Sequence, residues 1–128
     1  MRVALDFDGT ITEHPEFFRV LSAALQAQGH EIIILTYRHP ALRSVMAEQL
    51  TAWGISFTRF QFAHSQQDKS VWCEVLGIDV FFEDSDECIF PVGARTLVFK
   101  VRNARNFDFD RGTWIGRGSA PANDVSGA

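Results

Sequence analysis

Residues 32–36, Ile-Ile-Ile-Leu-Thr, constrain this chain more than any other stretch. The run is apolar throughout, with no alternation of polar and apolar positions. A strand of that kind is buried on both faces, as in the centre of a parallel sheet. Parallel neighbours need crossover connections, usually helices, and the sequence supplies them. Val3–Asp6 reads as a first short strand. Pro15 suits a first helical turn, Phe17, Phe18, Leu21, Ala24, Leu25 and Gln28 trace a helical face, and Gly29 is a natural stop. Past the Ile-rich strand, Pro40 opens a second helix with Leu42, Val45, Met46, Leu50 and Trp53 on one face, closed by Gly54. Ser56–Phe62 reads as a third, more exposed strand. Asp68–Leu76 reads as a third helix with Val71, Trp72, Val75 and Leu76 apolar, ended by Gly77. Asp79–Asp84 is a fourth strand, Ser85–Phe90 a single helical turn halted by Pro91, and Thr96–Val101 a fifth strand.

This alternation predicts an α/β fold, a three-layer α/β/α sandwich around a parallel sheet of about five strands. With the first strand central, the second and third lie to one side and the fourth to the other. The topological switch point then falls between strands one and four, where ligands bind at the carboxyl ends. The length of 128 residues suits one domain, set here at residues 1–118. Periodicity fades after Arg102. Residues 119–128 are small and polar and read as a disordered tail. Gly116-Arg117-Gly118 is not a dinucleotide loop, because no strand precedes it and Pro121 replaces the last small residue.

A net charge of −4 gives no footprint for nucleic acid or an anionic membrane. No secretory leader or membrane-length apolar run is read, so a cytoplasmic protein is expected. Cys73 and Cys88 are read as small buried thiols, and there is no Cys/His spacing for zinc. The crowded Phe57, Phe60 and Phe62 are read as packing rather than base stacking. Arg95, Arg102, Arg105, Arg111 and Arg117 are read as offsetting the acidic sequence, with an anionic partner the lesser reading.

Strands one and four both end in acid, and topology brings Asp6, Asp8 and Asp84 to one crevice. A carboxylate at a core boundary costs about several kcal/mol unless hydrogen-bonded or cation-bound. Carboxylates gathered there at neutral pH call for a cation or raised pKa values. All-oxygen ligands select a hard ion such as Mg²⁺, which also takes substrate phosphate. Beside it, Asp6 is suited to attack phosphorus. A carboxyl two residues on, around a turn, is suited to proton transfer. Phosphoryl transfer also needs donors aimed at the equatorial oxygens. Thr36 at the end of strand two and Lys69 at the start of helix three are the candidates. Lys69 and Lys100 are the only lysines. Arg38 offers a planar fork to a phosphate. His14, His39 and His64 fall in loops near the same sheet edge and are lesser candidates for substrate contact. The bland alternatives are a solvated acidic turn, a Thr that merely ends a strand and a surface lysine. A calcium loop is disfavoured, since Asp6-Phe7-Asp8-Gly9 lacks the third acid.

Taken in order, four segments resemble the haloacid dehalogenase superfamily of aspartate-nucleophile phosphatases. Asp6-Phe7-Asp8-Gly9-Thr10 is similar to its first motif, Ile33-Ile34-Leu35-Thr36 to its second, Lys69 to its third and Phe81-Phe82-Glu83-Asp84-Ser85-Asp86 to its fourth. The resemblance spans residues 1–101 and implies strand order 5-4-1-2-3. It implies Asp6 as nucleophile and Asp8 as general acid/base, with Thr36 and Lys69 holding phosphoryl oxygens. It implies Mg²⁺ on Asp6, the Asp8 backbone carbonyl and Asp84. The fourth motif departs in part, offering Glu83, Asp86 and Glu87 as rival supports for Asp84.

Relatives often carry a cap domain. Residues 11–30 hold room for one helix and a short loop, and about six residues separate strand three from Lys69, so no cap is expected. A partner copy covering the open site is the associated expectation. The expected function is Mg²⁺-dependent hydrolysis of a phosphate monoester. The alternatives are a phosphotransferase using the same residues or a non-catalytic phospho-ligand or protein-binding module.

Overall fold

The structure, a computed structural model, describes residues 1–116. The residue 119–128 tail expectation lies outside them, as do Arg117 and Gly118. Five strands form one parallel sheet: β1 (Arg2–Leu5), β2 (Glu31–Thr36), β3 (Arg59–Phe62), β4 (Val80–Glu83) and β5 (Leu97–Lys100). Their order is β3-β2-β1-β4-β5, the predicted order read from the other edge, with every neighbouring pair parallel. Between them run α1 (Pro15–Ala27), α2 (Arg43–Ala52), α3 (Asp68–Val75) and the short α4 (Asp86–Ile89).

The central strands β1 and β2 are buried on both faces because they are apolar in both registers. Ile32, Ile33, Ile34 and Leu35 are each 0% exposed. Val3, Leu5, Ile32 and Ile34 point to one side and meet Phe18 of α1 and Met46 and Leu50 of α2. Ala4, Ile33, Leu35 and Phe81 point to the other and meet Cys73 of α3. The helices change faces where the chain passes from β3 to β4, so the switch point lies between β1 and β4.

Several local expectations need correction. Phe17, Leu42, Val45, Val71 and Val75, expected on apolar helix faces, stand exposed. On α1 the buried positions are Phe18 and Ser22, and Phe17 is one helical step away, edge-on to Phe18 at 5.1 Å. On α3 the buried positions are Lys69 and Cys73, an i, i+4 pair that includes the charged residue. Pro40–Leu42 form a separate 3₁₀ turn ahead of α2. The third strand starts at Arg59, later than expected.

The largest difference follows Arg102. Strands β6 (Phe107–Asp108) and β7 (Thr113–Trp114) form an antiparallel hairpin. Two-residue strands are too short to show periodicity. Arg102 lies over the Phe107 and Phe109 rings at 4.6 and 5.0 Å, and Lys100 lies 3.9 Å from the Trp114 ring. These contacts seat the hairpin beside β5. Phe57, Phe60 and Phe62 pack on one another, with Arg43 over the last two. No helix among the described residues is long and apolar enough to cross a membrane.

Candidate active site

The carboxyl ends of β1, β2 and β4 and the first turn of α3 surround one cleft of about 440 Å³. Asp6, Asp8, Thr36, Arg38, Lys69 and Asp84 all line it, so topology unites the residues expected to serve as nucleophile, acid/base, phosphate ligands and metal ligands. His14, His39 and His64 do not line it. The His39 imidazole instead accepts from Ala41 N and caps the Pro40 turn.

Asp6 directly follows β1, and its N–H donates to Phe82 O at 3.0 Å, extending the ladder to β4. That bond fixes the backbone and sends the carboxylate inward, 3% exposed. Lys69 Nζ donates to Asp6 Oδ1 at 2.7 Å and Thr10 Oγ1 donates to Asp6 Oδ2 at 2.9 Å. The chain then turns sharply through Phe7–Ile11, with Gly9 at φ +82°. A Cβ at Gly9 would also collide with the Asp84 carboxylate and the Arg105 guanidinium, so glycine is required twice over. The turn carries Asp8 toward solvent. Arg38 grips it from Nε and Nη2, both at 2.8 Å, while lying 5.2 Å over the Phe7 ring. Thr36 is 1% exposed and its Oγ1 accepts from Arg38 N. No acceptor among the described residues takes the Thr36 hydroxyl proton.

Glu83 was a rival support for Asp84. Its carboxylate, 1% exposed, accepts from Lys69 Nζ at 2.9 Å and from the backbone N–H groups of Asp84 and Ser85 at 3.1 Å each. It thereby fixes the backbone that presents Asp84. Asp86 pairs with Lys100 at 2.7 Å, and Glu87 accepts from Gln67 at 3.0 Å. Neither side chain bonds Asp84.

One ammonium thus faces two buried carboxylates. Burial and the Glu83 charge push the Asp6 carboxyl well above its usual range, against the pull of Lys69. Burial likewise raises Glu83. For Lys69, burial opposes the charge, yet Asp6 and Glu83 outweigh it and hold the ammonium above its ordinary value. Burial pushes the Cys73 thiol up to about 12 and Cys88 upward as well, which makes both poor nucleophiles.

The donor set fits a hard cation. One oxygen each from Asp6, Glu83 and Asp84 lies within 4.8 Å of the others. Glu83 accepts three hydrogen bonds and Asp6 two, so Asp6 and Asp84 keep more lone pairs for an ion, whose charge would relieve the raised Asp6.

The sequence did not assign two cleft residues, Arg105 and Asn106, or the neighbouring buried Asn103 to the site. Asn103 Nδ2 donates to Asp84 Oδ2 at 3.0 Å, Arg105 Nη2 stands 3.6 Å from the same oxygen, and Asn106 Nδ2 donates to Asp84 O at 2.9 Å. Arg105 and Asn106 line the cleft, and the acid that Arg105 offsets is Asp84. The available signal was their place just past β5, whose carboxyl end meets the same sheet edge. Tyr37 and Ile115 also line the cleft, 50% and 47% exposed.

No family model and no curated protein sequence matches this chain. A solved chain from a Pnkp1/Rnl/Hen1 complex is similar in fold, with a TM-score of 0.58 at 14% identity. The likeness covers 78% of this chain and 45% of the other, so the chain spans less than half of that neighbour's length.

Proposed function

We propose that this protein is a Mg²⁺-dependent phosphatase of the haloacid dehalogenase superfamily, hydrolysing a phosphate monoester through an aspartyl-phosphate on Asp6. The observation that carries this reading is the meeting of Asp6, Asp8, Thr36, Lys69 and Asp84 in one cleft. They come from separate segments whose order matches the four motifs.

An arriving phosphate sits over Asp6, with Thr36 donating its free hydroxyl proton to one oxygen. Lys69 stays fixed on Asp6 and Glu83, orienting the attacking carboxylate and adding positive charge beneath the phosphoryl group. Arg38 exchanges the paired oxygens of Asp8 for those of the phosphate, which frees Asp8 to act. Asp6 and Asp84, with the Asp8 carbonyl that the resemblance adds, would hold a Mg²⁺ ion, whose charge would offset that of the phosphate. Asp8, once released by Arg38, takes the proton of the incoming ester monoanion; Asp6 attacks phosphorus, the ester P–O bond breaks, and Asp8 passes that proton to the departing alkoxide. Asp8 then takes a proton from water as that water attacks phosphorus. The Asp6–phosphate bond breaks and inorganic phosphate leaves.

The test is hydrolysis of p-nitrophenyl phosphate by wild type and Asp6→Asn, with and without chelator. Turnover is expected only in wild type, and only with Mg²⁺ present. Equal rates in the two proteins would end the assignment of Asp6 as nucleophile.

A further inference from the structure

Asn103 lies just past β5, in a stretch without helix or strand, yet it is 4% exposed. Its Nδ2 donates to Gly9 O at 2.7 Å and to Asp84 Oδ2 at 3.0 Å. Its Oδ1 accepts from Arg105 N at 2.8 Å and Asn106 N at 3.1 Å. An amide offers two protons and two lone pairs, and here all are used. The two bonds on Oδ1 are local and serve to fold the loop. The two on Nδ2 reach across the crevice, to the turn after β1 and to the acid after β4.

We propose that Asn103 is a positioning residue for Asp84. It pins Oδ2 and the Gly9 turn together, so that the other Asp84 oxygen and Asp6 are set at a fixed separation for a divalent cation. This rests on the Mg²⁺ reading above. A neutral amide suits the task because it orients a carboxylate while leaving its negative charge for the metal. An ammonium or guanidinium in its place would compete with the ion. Arg105 illustrates the contrast: it approaches the same oxygen at 3.6 Å with its side chain 66% exposed, and an incoming cation can displace it into solvent. Buried Asn103 has no such exit. Groups that orient metal ligands in this way typically matter about 10–100-fold in metal affinity.

The experiment is calorimetric titration of the full-length chain with Mg²⁺. Wild type, Asn103→Ala and Asn103→Asp are compared, with Ile78→Val as a core substitution outside the cleft. Asn103→Asp keeps the Oδ1 acceptor and removes the donor, so it carries the test if the alanine variant does not fold. Saturable Mg²⁺ binding is expected in wild type and Ile78→Val, weakened about tenfold or more in both Asn103 variants. Hydrolysis of p-nitrophenyl phosphate by Asn103→Ala should recover as Mg²⁺ is raised, with the KM for the ester unchanged. A folded Asn103 variant that binds Mg²⁺ as tightly as wild type overturns the positioning role. A wild type that binds no Mg²⁺ overturns the metal reading beneath it.

Discussion

Lys69 donates to Asp6 at 2.7 Å with only 3% of its side chain in contact with solvent. The same ammonium holds Glu83 at 2.9 Å, so three ionisable groups share one positive charge. Removing Lys69 would leave two buried carboxylates facing each other. Lys69→Met is therefore expected to cost about 3–5 kcal/mol, read from urea denaturation at neutral pH. Adding Glu83→Gln to that variant removes one of the stranded charges and should recover part of the loss. A single variant with wild-type stability would show that the pair contributes nothing to folding.

The same cluster gives the metal-free protein a pH dependence. Folded Asp6 and Glu83 titrate above their unfolded values. Between the two values the folded state binds more protons, so stability falls as pH rises through that interval. The urea midpoint of chelated protein should decline as pH climbs above the ordinary carboxylate range. Saturating Mg²⁺, binding only the folded form, should flatten the decline. A midpoint that rises over this interval in chelator would contradict the assignment.

Arg38 and Asp8 form a two-bond pair at the mouth of the cleft, with side chains 37% and 45% exposed. If Arg38 passes to substrate phosphate, Arg38→Ala should raise KM for p-nitrophenyl phosphate by about 10–100-fold, the range of a charged hydrogen bond. Arg38→Lys should recover little, since an ammonium cannot reproduce the planar fork. Steady-state kinetics at saturating Mg²⁺ reads both. An unchanged KM in Arg38→Ala would confine the residue to holding Asp8.

Tyr37 adds a half-exposed ring to the same wall. A leaving group with a flat apolar body should cover about 50 Å² of it, worth about 1 kcal/mol. Tyr37→Ala should then raise KM for aryl phosphates by roughly five- to tenfold and leave that for glycerol phosphate unchanged. Equal changes for both esters would remove Tyr37 from substrate recognition.

The alternation of strand and helix was legible in the sequence, and strand ends are marked by abrupt changes from apolar to polar; the full sheet order came from the family resemblance, and with strand one central the gathering of Asp6, Asp8 and Asp84 at the switch point follows. The pairing of Glu83 with Lys69 was not legible, because it depends on α3 burying a charged residue where an apolar one is the norm. Nor was the part played by Asn103 and Asn106. Their amides act on backbone carbonyls and a carboxylate, and such bonds leave no periodic trace. Val71 and Val75 misled for the opposite reason, being apolar residues on the solvent side of a short helix.

The Asn103 to Gly9 bond joins residues 94 positions apart. It can close only after β1 has paired with β4 and β4 with β5, since that pairing is what brings Asn103 within reach of Gly9. A nascent chain that has emerged only as far as Lys100 already contains all four segments likened to the superfamily motifs. It still lacks the amide that joins the two sides of the crevice. If the cleft takes the proposed cation, competence for it would depend on a segment added after the sheet rather than on the core alone.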